Sequence, residues 1–170
     1  MPARNGPLAE EKRAIHKKKY RELRKQAYST PFGIAGYPPP EKGAFEATPK
    51  EREAKYHQKW DEGGTISYLF SYNDLLLSEK SNETASDFVR ERIREIVKDA
   101  ETAKLLCPND HPIGTKRICL DSGYYETFNR DNVSLVDVRS APIEEITPFG
   151  LRTAREEFEL DSIIFATGFD

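Results

Sequence analysis

Apolar residues keep a helical period through the first two thirds of this chain and lose it after Pro108. Residues 8 to 28 space Leu8, Ile15, Leu23 and Ala27 into a thin stripe on a charge-laden stretch, which predicts a helix in need of a neighbour. Residues 29 to 50 concentrate Pro and Gly around Tyr37-Pro38-Pro39-Pro40, so an irregular connector is expected there. Thr48-Pro49 is a cap followed by Pro at the first turn and opens a helix to Trp60, which Gly63-Gly64 stops. Residues 65 to 77 are the most apolar part of the first half, and residues 85 to 98 place Phe88, Val89, Ile93, Ile96 and Val97 on one helix face. Up to about residue 106 the pattern is all-helical.

Beyond Pro108 the period shortens. Lys116 to Leu120 and Val133 to Val138 read as strands, joined through a helical turn that carries Tyr124, Tyr125 and Phe128. A connection of about a dozen residues points to a parallel βαβ crossover, since a hairpin needs only a few. Ile143 to Thr147 and Leu151 to Thr153 flank Thr147-Pro148-Phe149-Gly150, a hairpin with Pro and Gly at turn positions. Phe158 to Ala166 reads as a last strand whose continuous apolar run suits a parallel strand covered on both faces. Such a strand needs companions on both edges, so the chain is expected to be an excerpt of a larger α/β protein.

Composition adjusts this picture. The chain has 170 residues with 37% hydrophobic and 32% charged, so much of it is solvated surface. The formal net charge of -3 is unevenly spread. Residues 1 to 30 hold nine Lys or Arg against three Glu, and residues 141 to 170 hold two Arg against seven acids. The basic stretch of residues 12 to 25 interleaves only Tyr20 among its cations, too little for a base-stacking face, so nucleic acid is not an expected partner; a helical module holding an acidic partner stays as an alternative. Cys107 and Cys119 form no CxxC and have no His pair, which gives no metal framework. No apolar run approaches bilayer length, so no membrane association and a cytoplasmic location are expected.

Candidate chemistry is sparse. Gly114-Thr115-Lys116-Arg117 puts two cations at the mouth of an expected strand, where alternation would send them to opposite faces. By itself such a pair is ordinary solvated surface. Ala166-Thr167-Gly168 follows an apolar run and is equally a strand-ending turn or a close backbone approach to a ligand, with Asp170 nearby as an acceptor. Among ten glycines no Gly-x-Gly occurs, so no dinucleotide fingerprint is present. His57 and Trp60 stand too close together for a flavin monooxygenase fingerprint, and His111 reads as a loop residue.

Four segments nevertheless stand together in a specific order: His111-Pro-Ile-Gly-Thr-Lys-Arg117, Tyr124-Tyr-Glu-Thr-Phe-Asn-Arg-Asp-Asn-Val133, Ala141-Pro-Ile143 with Thr147-Pro-x-Gly150, and Leu160 to Asp170. In this order they closely resemble Baeyer-Villiger monooxygenases of the phenylacetone and cyclohexanone monooxygenase type. Pro2-Ala3-Arg4-Asn5 and Trp60-Asp61-Glu62-Gly63-Gly64 resemble that family's helical insertion.

The resemblance implies an α/β fragment: residues 1–113 as the helical insertion of the NADP domain, 114–159 as part of a Rossmann-like NADP domain, and 160–170 as a strand re-entering the FAD domain. It implies FAD and NADPH as cofactors and a ketone and O2 as substrates, with an ester or lactone as product. Lys116 is implied near the 2'-phosphate of NADPH, Arg117 beside flavin and nicotinamide, and Ala166, Thr167 and Gly168 near the nucleotides. The chemistry asks for such an Arg, because a permanently charged guanidinium stabilises an attacking anion and the tetrahedral oxyanion that follows. The family's Gly-x-Gly-x-x-Gly loops and its Phe-x-Gly-x-x-x-His-x-x-x-Trp fingerprint are missing here, and the resemblance places them, with the rest of the FAD domain, in further parts of the same enzyme. The chain alone is therefore expected to bind FAD poorly and to be inactive. A flavin-containing or N-hydroxylating monooxygenase fragment is the alternative within flavin chemistry.

Overall fold

A computed structural model of the chain describes residues 1–4, 6–30 and 33–168, which fall into two compact units, Met1–Thr127 and Phe128–Asp170. The first unit is helical. Helices α1 (Glu10–Lys18) and α2 (Tyr20–Tyr28) divide the expected single helix at Lys19, and neither buries a residue. Lys19 leaves helical geometry at φ -94° and ψ 10°, and no packed face holds the two helices in line.

Local signals set the next helices. For α3 (Pro49–Glu62), the Thr48 hydroxyl accepts the Glu51 N–H at 3.3 Å, and the Glu51 carboxylate accepts the Thr48 N–H at 2.7 Å. This reciprocal cap, with Pro49 behind it, starts the helix, and Gly63 at φ +73° ends it. After α4 (Thr65–Leu69), Ser78 caps α5 (Glu79–Ile96) and Asp99 caps α6 (Ala100–Leu106) through backbone N–H groups three residues on.

The core lies where α3, α4 and α5 meet. Tyr56 stands 5.6 Å from both the Tyr68 and Phe88 rings and 5.8 Å from Tyr72, with Leu75 and Ala85 buried among them. Hydroxyls carried into this core need partners, and those of Tyr56 and Tyr68 have them. Tyr68 Oη donates to the Ala85 carbonyl at 2.8 Å. The Thr84 hydroxyl gives its proton to the Ser81 carbonyl, so at 2.8 Å from Tyr56 Oη it is the acceptor. Asp74 ties the connector down: its Oδ1 accepts the buried Ala44 N–H at 2.9 Å and its Oδ2 the Ser81 hydroxyl at 2.6 Å.

Two expected strands are corrected. Lys116 to Leu120 and Val133 to Val138 belong to no sheet among the described residues, and only the helical turn between them forms, as α7 (Tyr124–Thr127). An extended segment is a strand only when a partner takes its N–H and C=O groups. Directly after the first segment there is one bridge, where Pro2 pairs parallel with Asp121 through Ala3 N–H to Asp121 O and Asp121 N–H to Met1 O, each 2.7 Å.

The second unit holds an antiparallel meander of β1 (Ile143–Thr147), β2 (Gly150–Thr153) and β3 (Glu157–Glu159). The expected hairpin forms, with Thr147 opposite Gly150. Gly150 is required there, because a Cβ would stand 1.9 Å from the Phe158 carbonyl of the neighbouring strand. The expected parallel last strand is corrected: its first residues pair antiparallel with β2, and Leu160 to Gly168 lie outside the sheet, with Ile164 89% and Phe165 72% exposed. Phe169 and Asp170 lie outside the described residues. No helix among the described residues is long and apolar enough to cross a membrane.

Burial pushes the Tyr56 hydroxyl up to about 12, so the folded state holds this proton where an unfolded tyrosine, near pH 10, gives it up. That contribution is complete below about pH 10 and is lost as pH rises toward 12. Urea unfolding at stepped pH is expected to show stability falling through this window, with a shallower fall in Tyr56→Phe; equal slopes would contradict the assignment.

Candidate functional site

The segment carrying Lys116 and Arg117 is presented by a tight turn. Thr115 donates its N–H and its hydroxyl to the Pro112 carbonyl at 3.3 and 2.7 Å, and Gly114 occupies the third position at φ +90°. This is type II geometry, which wants glycine at that place. Glycine is needed twice over here: a Cβ would meet Leu76 Cδ2 at 2.8 Å and Leu69 Cδ2 at 3.1 Å. Below the turn, Ile113 gives its N–H to Asn82 Oδ1 at 2.9 Å and accepts Asn82 Nδ2 at its carbonyl at 2.8 Å.

The turn opens onto a cleft of about 540 Å³ within the first unit. Lys116 and Arg117 both line it, together with Arg90, His111, Tyr124 and Tyr125. The expected opposite orientation of the two cations rested on a pleated strand, and the backbone after the turn is irregular, so strict alternation has no basis there. Tyr124 and Tyr125 do not pack a crossover helix on a sheet; they stack edge to face at 5.3 Å along the same cleft.

Charges in the cleft divide into spent and unspent. Arg90 is committed to structure: Nη1 meets Glu83 at 2.7 Å and Asp87 at 2.8 Å, while Nε donates to the Pro108 carbonyl at 2.9 Å. His111 Nδ1 stands 2.5 Å from Asp110 Oδ1, and this hydrogen bond, then the charge of Lys116, hold the Asp110 carboxyl below its usual range. Among the described residues Lys116 and Arg117 enter no ion pair within 4 Å, and both are exposed. Two exposed cations without a close ion pair, on a cleft that Tyr124 and Tyr125 also line, suit a phosphorylated ligand with a planar ring, with the carboxylates of Asp110 and Asp121 nearby as competing charge. A second cleft of about 550 Å³, lined by Pro38 to Pro40, Lys42, Lys55 and Lys59, contains none of the sequence-derived candidates.

Ala166, Thr167 and Gly168 belong to the second unit, where all three are exposed. Gly168 is left-handed at φ +85° with no atom within 4 Å of a built Cβ, so its backbone is open to close approach. No described hydrogen bond engages these three residues.

Asn82 escaped the sequence reading. Its signal is there in hindsight: Asn82 shares a helical stripe with Ser86, Val89 and Ile93, so an amide sits on the face that α5 turns inward.

No protein-family model matches the chain. It is 41% identical over 169 residues to the 2-oxo-Delta(3)-4,5,5-trimethylcyclopentenylacetyl-CoA monooxygenase of Pseudomonas putida, covering 99% of this chain and 31% of that protein. To a Baeyer-Villiger monooxygenase of Pseudooceanicola batsensis it is 38% identical over 172 residues, covering 100% of this chain and 31% of that protein. A solved structure of oxidized steroid monooxygenase bound to NADP superposes with a TM-score of 0.92 at 44% identity, covering 100% of this chain and 32% of that one. The chain thus spans about a third of the length of the relatives it matches.

Gly114→Ala is expected to lower the unfolding free energy by about 2 to 4 kcal/mol, from left-handed strain and the clash with Leu76 and Leu69 combined. Urea denaturation measures this; a loss within about 0.5 kcal/mol would contradict the tight packing of the turn.

Proposed function

We propose that this chain, a homologue of the Baeyer-Villiger monooxygenases along its whole length, is the segment of such an enzyme that faces the nicotinamide cofactor. In this reading residues 1–113 are the helical insertion of the NADP domain, 114–159 part of that domain, and 160–170 the return to the FAD domain. The enzyme converts a ketone, O2, NADPH and a proton into an ester or lactone, water and NADP+. NADPH supplies the electrons and FAD the oxygen activation when both are bound.

One observation carries the reading: Lys116 and Arg117 are both exposed, enter no ion pair within 4 Å among the described residues, and line one cleft with Tyr124 and Tyr125. Lys116 is the residue to hold the 2'-phosphate, since a compact ammonium at an exposed wall binds a dianion without needing a fixed fork. Arg117 is the residue to hold charge beside the reacting oxygen. Its guanidinium stays protonated at every working pH and presents paired donors to an oxyanion. Ala166, Thr167 and Gly168 offer open backbone to a nucleotide, and Gly168 tolerates the closest approach because it lacks a side chain.

Kinetics of the full-length enzyme carrying this segment test the assignment. Lys116→Ala is expected to raise KM for NADPH about tenfold or more, a loss of about 1.4 kcal/mol, with KM for NADH changed less than about twofold. Arg117→Lys keeps the charge and loses the fork, so kcat for ketone oxidation is expected to fall at least about tenfold. An unchanged preference for NADPH over NADH in Lys116→Ala would refute the phosphate role.

A further inference from the structure

We propose that Asn82 is the positioning residue that sets the Lys116–Arg117 pair against the cofactor, an inference that rests on the cofactor reading above. Asn82 is 5% exposed and has spent its whole hydrogen-bonding capacity. Its Nδ2 donates to the carbonyls of Leu75 and Ile113, both at 2.8 Å. Its Oδ1 accepts the Ile113 N–H at 2.9 Å and the Ser86 hydroxyl at 3.2 Å.

The arrangement has an unusual economy. Both backbone polar groups of Ile113 end on one side chain, so the amide replaces the neighbouring strand that this residue lacks. Ile113 is the second residue of the turn, and Lys116 follows three positions later. With Gly114 wedged against Leu69 and Leu76, the chain leaving the turn has two fixed points in succession. Asn82 itself stands one turn before Ser86 on α5, whose Ala85 and Phe88 are embedded in the aromatic core. The buried amide and the packing of Gly114 both tie the helical unit to the segment that carries the cationic pair, and Asn82 is not among the residues lining the cleft.

Asp fits the space of Asn but has no hydrogen to give, and it would face two carbonyls with negative charge. In the full-length enzyme, Asn82→Asp is expected to reduce the ratio of kcat/KM for NADPH over NADH by tenfold or more at normal FAD content. Asn82→Ser, which keeps one donor, is expected to fall between Asn82→Asp and the unsubstituted enzyme, and it serves as the variant should Asn82→Asp fail to fold. On a Lys116→Ala background, Asn82→Asp is expected to change the ratio less than twofold, because its effect runs through Lys116. A merely structural role would lower stability and leave the ratio untouched in every folded variant, which would overturn the proposal. So would rapid hydrogen exchange of the Ile113 amide in the unsubstituted protein, a measurement that requires no variant. If Lys116→Ala itself leaves the ratio unchanged, the cofactor reading has failed; if Lys116→Ala shifts it and folded Asn82 variants do not, only the role of Asn82 has failed.

Discussion

The burial of hydroxylated aromatic rings between α3, α4 and α5 is the constraint from which the first unit hangs. Tyr56, Tyr68 and Tyr72 supply the area that a chain rich in charge otherwise lacks, and each buried aromatic contributes on the order of 2 kcal/mol. Tyrosine brings an obligation with its area. The Tyr56 and Tyr68 hydroxyls meet Thr84 and the Ala85 carbonyl, both on α5, so the rings pack the helices and the hydroxyls lock the rotation of α5 about its own axis. A phenylalanine core of the same shape would bury similar area and leave that rotation to packing alone.

With α5 fixed, the face it shows to residues 107–117 is also fixed. Arg90 holds the Pro108 carbonyl and Asn82 holds Ile113, two side chains two turns apart on one helix. A stretch with no ladder of its own thus acquires a defined path, ending in the exposed Lys116 and Arg117. The site is built on irregular backbone, but its supports stand on a helix.

Some of this was legible in advance. Thr48, Pro49 and Gly63 announce the bounds of α3, and Pro148 with Gly150 announces the β1–β2 hairpin, because caps and turns are satisfied within a few residues. The candidate pair Lys116–Arg117 was recognisable through its sequence context, though not its arrangement on one cleft. The strand readings of 116–120 and 133–138 failed for the opposite reason: alternation describes what a segment can do, and pairing depends on which edges are within reach. At 160–168 the apolar run was plain, yet only Glu157–Glu159 found a ladder.

What the sequence by itself determined is therefore the local: where helices start and stop, where the chain must turn, and which residues are apolar enough to seek cover. What only tertiary structure decided is the use of groups whose partners lie far along the chain. Asn82 and Ile113 are thirty-one residues apart, and Asp74 and Ala44 thirty. A hydrogen bond satisfied at that distance leaves no periodic trace in sequence, because its geometry exists only once the aromatic core has brought both ends together.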